Sequence, residues 1–481
     1  MLIYLNRKII DVEDIKFERK MENKKNIIII IIDAFRTKNI SLFGYEKITD
    51  KNLKKIAKSS IVLNDFFSSS NATAPSLTTL FTGKYPNNHG IIHQFPYTTQ
   101  EEINKLNKVN FWLPSFLRDK GYETIAIDWI GLWFKDGFNY YEEKEKKQSK
   151  LKKFLKIPIV KKFLLGLPNW AYKYGKKIVK TRASEEFTPA KDTMNLGISK
   201  IQETTFSNKP FFLFMHFWDT HFPFPTTKFR GSGKNDINEV VKKIDSNQRE
   251  YFKKRITDIN LYSIKDMIDK YDVSIKMVDK QIGELYKFLK KNNLWDDTIL
   301  IILGDHGTSL TDHENYFSSS GLFDETIHVP FIIHLPGFEG KKIDGLVQNV
   351  DILPTILDYF DWSVNEEFDG KSFLNLIKGQ QIRDKVFFFD GLAPDIKGVR
   401  TKNRKLIIAR ENSCNLCKSQ HHKGIEEYDL IKDPNELTNI FNVSSELMKF
   451  LENEEDKSFD NMEGIKTYVR SESIFTEEKD L

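Results

Sequence analysis

The chain is poor in cysteine, lacks a long apolar run and carries little net charge, and each shortage removes a class of protein. Only Cys414 and Cys417 occur among 481 residues, so no disulfide framework supports the fold and a reducing compartment is expected. No segment reaches the roughly eighteen consecutive apolar residues needed to cross a bilayer; the best run, Ile27 to Ile32, ends at Asp33. Residues 1–25 alternate charge with short apolar pairs and lack the apolar stretch of a secretory signal. These features predict a cytoplasmic protein with no transmembrane segment. Lys+Arg 73 against Asp+Glu 68 leaves a net charge of +5, too slight to imply nucleic acid as a partner.

What is present describes a folded α/β chain. Hydrophobic residues at 40% and aromatics at 13% exclude disorder. The isoleucines from Asn26 onward run continuously rather than alternating, as in a strand buried on both faces of a parallel sheet. Glu123–Ile127, Pro210–Met215, Thr298–Leu303 and Val329–His334 read as further core strands. Helical stretches are predicted near Asn52–Ala57, Thr73–Phe81, Phe111–Lys120 and Tyr271–Asn292. This rhythm predicts a doubly wound sheet. The expected division is an N-terminal extension (1–25), a catalytic core (26–390) and a small C-terminal subdomain with a tail (391–481). Two insertions interrupt the core. Residues 142–182 interleave lysines with aromatic and aliphatic residues, open to reading as a surface insertion or as a peripheral membrane contact. Residues 228–262 are polar and densely charged, as in a surface excursion or lid.

Candidate chemistry collects just past the predicted strand ends, where open α/β sheets bind ligands. Asp33 follows the isoleucine run, His216 and His221 follow the Pro210–Met215 strand, and Asp305-His306 follows Thr298–Leu303. Thr73 is expected to cap a helix that includes Pro75 and stops near Gly83, placing a hydroxyl at a positive helix tip. Two carboxylates, an imidazole and a hydroxyl suit a divalent cation, Mn²⁺ or Ca²⁺ first, with Mg²⁺ or Zn²⁺ as alternatives. Such an ion would favour the Thr73 alkoxide for attack on sulfur or phosphorus. His221 would protonate the leaving oxygen or bind the anion, and Lys84 and Arg36 are further candidate anion contacts. His216 also fits a buried, hydrogen-bonded histidine.

The ordered series NIIIIIIDAFR (26–36), TAPSLTTLFTGKYPNNHG (73–90), FFLFMHFWDTHFP (211–223), GDHG (304–307), FDETIHVP (323–330) and DILPT (351–355) resembles the sulfatase family of the alkaline phosphatase superfamily. The resemblance implies an α/β/α sandwich with a mostly parallel central sheet and a small C-terminal antiparallel sheet. It also implies Asp33, Asp305 and His306 as metal ligands with Thr73 completing the set, Thr73 as nucleophile, and His221 as a substrate contact. The expected activity is hydrolysis of a small-molecule or glycan sulfate or phosphate ester; a phosphoryl-group transferase and an inactive binding module for anionic glycans or lipids are the alternatives. The departures are specific. Sulfatases carry a Cys or Ser, converted to formylglycine, where this chain has Thr73, and an Arg where it has Leu77. Ala34 replaces the second Asp of the usual pair, and His306 follows Asp305 where Asn is usual. A direct Thr nucleophile with one metal looks more like the superfamily's phosphodiesterases and phosphoryl transferases.

Cys414-x-x-Cys417 followed by His421 and His422 is open to two readings, a structural Zn²⁺ site or a plain loop.

Overall fold

The computed structural model of the protein describes residues 2–5, 8–11, 25–128, 130–142, 188–205, 209–224, 241–242, 244, 246–257, 263–409, 413–442 and 445–447. The basic insertion lies outside them apart from Glu142, as does much of the polar one. No helix among the described residues is long and apolar enough to cross a membrane.

Eight strands form the central sheet: β1 (Asn26–Ile32), β2 (Ile61–Leu63), β3 (Glu123–Ile127), β4 (Tyr140–Glu142), β5 (Phe211–Phe217), β6 (Thr298–Gly304), β7 (Phe331–His334) and β8 (Lys341–Ile343). Their order is β8-β2-β7-β6-β1-β5-β3-β4. β1 lies between β5 and β6, parallel to both, with Ile27 opposite Phe212 on one side and Ile299 on the other. The sheet is mostly parallel; β7 runs antiparallel to β6 and β2.

The isoleucines of β1 explain the layers, because strand residues point alternately to opposite faces. Ile28, Ile30 and Ile32 pack on one face against helices α2 (Ala190–Thr205) and α3 (Ile264–Lys291), through Met194, Ile201, Ile275 and Ile282. Ile27, Ile29 and Ile31 pack on the other against α1 (Thr73–Thr82) and α4 (Ile352–Tyr359), through Leu77, Leu80, Phe81 and Leu353. All six are fully buried. Each such side chain contributes about 1.5–3 kcal/mol of burial free energy, so a continuous apolar run is what a strand covered on both faces requires. α3 begins seven residues before the predicted Tyr271, because Ser263 caps it by accepting a bond from the Asp266 N–H at 2.9 Å.

The C-terminal sheet has four antiparallel strands in sequence order, β9 (Val386–Phe389), β10 (Ile396–Arg400), β11 (Arg404–Ala409) and β12 (Gly424–Asp429). It opens ahead of the expected start at 391. The Phe389 N–H donates to Ser69 O (2.9 Å) and the Gly391 N–H to Asn71 Oδ1 (2.8 Å). The small sheet is thereby bonded to the segment that leads into Thr73.

Candidate active site

β1 and β6 are adjacent and parallel, so the turns that follow them meet at one edge. Ala34 adopts a left-handed conformation (φ +54°) that turns the chain immediately after Asp33. Its N–H then donates to Asp305 Oδ1 (3.2 Å), its carbonyl accepts from the Tyr271 hydroxyl (2.7 Å), and the Phe35 N–H donates to His306 O (2.8 Å). Gly307 is required on the second turn: a Cβ there would stand 2.2 Å from Glu325 O. These bonds hold the two acid-bearing loops together.

Asp33, Asp305 and His306 converge, with a ligand atom of each lying within 4.8 Å of the others. His306 Nε2 stands 3.7 Å from Asp33 Oδ1, 3.6 Å from Asp305 Oδ2 and 3.2 Å from Thr73 Oγ1. Its Nδ1 is 2.7 Å from Gly307 O. A carbonyl only accepts, so Nδ1 carries the proton and the Nε2 lone pair faces the cluster. Both Asp33 oxygens and Asp305 Oδ2 are buried with no hydrogen-bond partner among the described residues. Burial first, then the charges of Asp305 and Asp128, push the Asp33 carboxyl well above its ordinary range. Orphaned buried carboxylates cost several kcal/mol, and a divalent cation relieves that cost. The donor set of two carboxylates, an imidazole and a hydroxyl therefore fits a metal.

Thr73 is the first residue of α1, and Ala72 is its N-cap. The expectation that Thr73 caps the helix is corrected accordingly. The Ala74 N–H donates to Gln94 Oε1 (2.8 Å), Pro75 has none, and the Ser76 N–H bonds Ala72 O (3.1 Å). What holds Thr73 in place is a buried polar network behind it. Ser76 Oγ donates to Asp305 O (2.6 Å), Asn349 Nδ2 to Ser76 O (2.9 Å), and the Ser69 N–H to Asn349 Oδ1 (2.9 Å).

The other predicted site residues divide. His221 lies on the turn after β5, its Nδ1 2.7 Å from Phe222 O and its ring 5.7 Å from that of Trp218. The same turn is bonded to the cluster, since Thr220 Oγ1 donates to Asp33 O (2.5 Å). Arg36 is 5% exposed and engaged, donating to Asp312 Oδ2 (2.7 Å) and Thr308 O (3.0 Å). Burial opposes ionisation of Asp312, but the Arg36 charge and hydrogen bond, followed by Lys38, hold its carboxyl well below the usual range. Lys84 follows Gly83 at the opposite end of α1, about 15 Å from Thr73 by the helix rise, and it pairs with Glu366 at 2.9 Å. It does not join the Thr73 cluster. His422 likewise leaves the predicted cysteine group: its Nε2 accepts from the Leu322 N–H (2.8 Å) and its Nδ1 bonds Glu426 (2.7 Å). Cys414, Cys417 and His421 remain together.

Two participants were not among the predicted site residues. Asp128, at the end of β3, bonds His216 Nδ1 through Oδ1 (3.1 Å) and accepts the Tyr141 hydroxyl through Oδ2 (2.7 Å). His216 Nε2 stands 3.8 Å from Asp33 Oδ2 and has no hydrogen-bond partner among the described residues. Asp128 follows a core strand as Asp33 does, and that position was the available signal. Asn349 had none.

Comparison with known proteins identifies the family. The family described as Sulfatase matches residues 25–362, and N-sulphoglucosamine sulphohydrolase, C-terminal, matches residues 312–459. The chain is 26% identical to an arylsulfatase of Clostridium perfringens, over 87% of this chain and 90% of that protein. It is 23% identical to an N-acetylglucosamine-6-O-sulfatase of Bacteroides thetaiotaomicron, over 92% and 88%. Its fold matches the crystal structure of a phosphonate monoester hydrolase of Agrobacterium radiobacter with a TM-score of 0.59 at 18% identity, covering 93% of this chain and 96% of that one. The chain belongs to the sulfatase family and is a hydrolase of sulfate or phosphate esters.

Proposed function

We propose that Thr73 is the nucleophile of this hydrolase, that Asp33, Asp305, His306 and Thr73 hold one divalent cation, and that the preferred substrates are small-molecule or glycan phosphate esters. The observation that carries the reading is the 3.2 Å approach of Thr73 Oγ1 to the His306 nitrogen that faces the buried carboxylate oxygens of Asp33 and Asp305 Oδ2, which have no hydrogen-bond partner among the described residues. When bound, the cation favours the alkoxide form of Thr73 and offsets charge on the ester oxygens. A majority of oxygen donors suits Mn²⁺ or Ca²⁺, with Mg²⁺ and, through the imidazole, Zn²⁺ as alternatives.

Thr73 Oγ1 attacks the central atom in line, the bond from that atom to the leaving oxygen breaks, and the group is carried as a threonine ester. The His221 contact with Phe222 O leaves a proton on Nδ1; in the protonated ring, Nε2–H supplies the leaving oxygen with its proton. Water then attacks the same central atom as neutral His221 Nε2 takes its proton, Thr73 Oγ1 departs as the alkoxide, and the inorganic anion is released. An aldehyde hydrate at this position could instead expel the anion by breaking its own C–O bond. Threonine bears a single oxygen on Cβ, so release needs the second displacement. Phosphorus accepts repeated in-line displacement readily, and this supports phosphate over sulfate.

The test is turnover of 4-nitrophenyl phosphate, its bis-diester and the sulfate with added Mn²⁺, with mass spectrometry of the quenched enzyme. Phosphorylated Thr73, and loss of kcat by at least about a thousandfold in Thr73→Ala, are expected. An unmodified Thr73 together with full activity of the alanine variant would overturn the assignment.

A further inference from the structure

The active site leaves one cluster of metal-ligating side chains without a role. Cys414 and Cys417 are buried thiols, 1% and 2% exposed, on a loop between β11 and β12. One turn onward, His421 Nε2 approaches Cys417 Sγ to 3.0 Å. A ligand atom of each of the three residues lies within 4.8 Å of the others. In a tetrahedral zinc site, Zn–S of about 2.3 Å and Zn–N of about 2.0 Å place the ligand atoms roughly 3.3–3.8 Å apart, so small side-chain movements close this set on an ion.

The backbone is arranged for it. The Cys414 N–H donates to Ser419 O (2.9 Å), and the Lys418 N–H donates to Cys414 O (2.8 Å). Lys418 itself takes a left-handed conformation (φ +62°), which bends the chain so that both sulfurs and the ring face inward. Ser320 Oγ lies 3.1 Å from Cys414 Sγ, a hydroxyl in place to donate to a thiolate. His421 also lines a polar cavity of about 580 Å³ with Gln248, His313, Glu314 and Ser419, which gives water access to an open coordination position.

We propose that Cys414, Cys417 and His421 bind a Zn²⁺ ion, with water as fourth ligand, at a site separate from the catalytic cluster. Its effect is positional. The cysteines pack against Ala72, the residue before Thr73, together with Leu392. The Asn415 N–H donates to Leu392 O (2.8 Å), and the Gln94 N–H donates to Gly391 O (2.9 Å). Gln94 is also the side chain that receives the Ala74 N–H at the start of α1. An ion at the cysteines therefore stiffens the wall beside the nucleophile.

The full chain, purified under reducing conditions and dialysed free of loose metal, is loaded with Zn²⁺ or Co²⁺ alone. Asp305→Asn should retain one equivalent that resists dialysis, held at the cysteines, and the cobalt forms of the wild type and of this variant should both show thiolate-to-metal charge-transfer absorption. Cys414→Ser should lose that absorption and the tightly held equivalent. Should the serine variant fail to fold, the cobalt spectrum of Asp305→Asn decides alone, since its catalytic cluster lacks a ligand. Absence of the thiolate band there, zinc content unchanged by Cys414→Ser, or a native mass lower by two hydrogens from a Cys414–Cys417 disulfide would each overturn the proposal.

Discussion

Asp128 accepts a hydrogen bond from the His216 ring at 3.1 Å and so points the ring's other nitrogen at Asp33, 3.8 Å away. The bond sets the tautomer, because a carboxylate accepts and Nδ1 must donate. Asp128→Asn weakens that control, and His216→Ala removes the group facing Asp33. Losing partners of this kind costs about 10–100-fold in metal affinity or activity. Activation titrations with Mn²⁺ should shift to higher concentration in both variants, with thermal unfolding still cooperative. Unchanged titrations would separate this pair from the catalytic centre.

Asp33 combines full burial, two oxygens without hydrogen-bond partners among the described residues, and the neighbouring charges of Asp305 and Asp128. Asp33→Asn removes one of the crowded charges while keeping the shape. In metal-free protein at neutral pH the variant should be more stable than the wild type by ~1–3 kcal/mol, yet nearly inactive. Added Mn²⁺ should raise the melting temperature of the wild type much more than that of the variant. A less stable metal-free variant would contradict the idea that an empty cluster is strained.

Asn349 bonds both Ser69 and Ser76, the two sides of the bend that presents Thr73. Asn349→Leu keeps the branched shape, removes both bonds and leaves the Ser69 N–H unpaired. The expected cost is about 1–3 kcal/mol of stability per buried group left unsatisfied, with kcat falling more than KM rises. Denaturant melts and steady-state kinetics check the two parts separately.

His89 lies buried against α1, with the Ile91 N–H donating to Nδ1 (3.1 Å) and Nε2 3.0 Å from Thr79 Oγ1. Burial pushes its pKa down from 6.5 to about 3. Between those values the unfolded chain binds a proton that the folded chain refuses, so stability falls as pH drops through that window. The loss attributable to this side chain approaches about 1.4 kcal/mol per pH unit below pH 6.5. His89→Gln should lack that component, so the stability difference between the two proteins should change in the variant's favour from about pH 7.5 to about pH 5. A constant difference would refute the assignment.

Much of the fold was legible in the sequence because burial leaves a pattern in composition. β3 falls on its predicted residues, and β1 and β6 lie within a residue or two of theirs. Their continuous apolar runs have no other stable setting. Ends set by contacts were less legible. α3 starts at a serine cap well before the predicted stretch, and α1 begins one residue earlier than a Thr73 cap would have it. Lys84 and Arg36 show the same limit, since a cation near a site motif reads alike whether it faces substrate or, as here, Glu366 and Asp312.

The order of residues determined which strands are buried on both faces, and which acids and imidazoles follow their carboxyl ends. Periodicity and burial are local properties, written into neighbouring side chains. The tertiary structure alone gave the distances within the Asp33, Asp305, His306 and Thr73 cluster, and decided that Asp128 and His216 stand behind Asp33 and that His422 turns away from the cysteines. Those outcomes depend on strand order and on hydrogen bonds between residues 88 to 233 positions apart, and spacing along a chain does not encode distances of that kind.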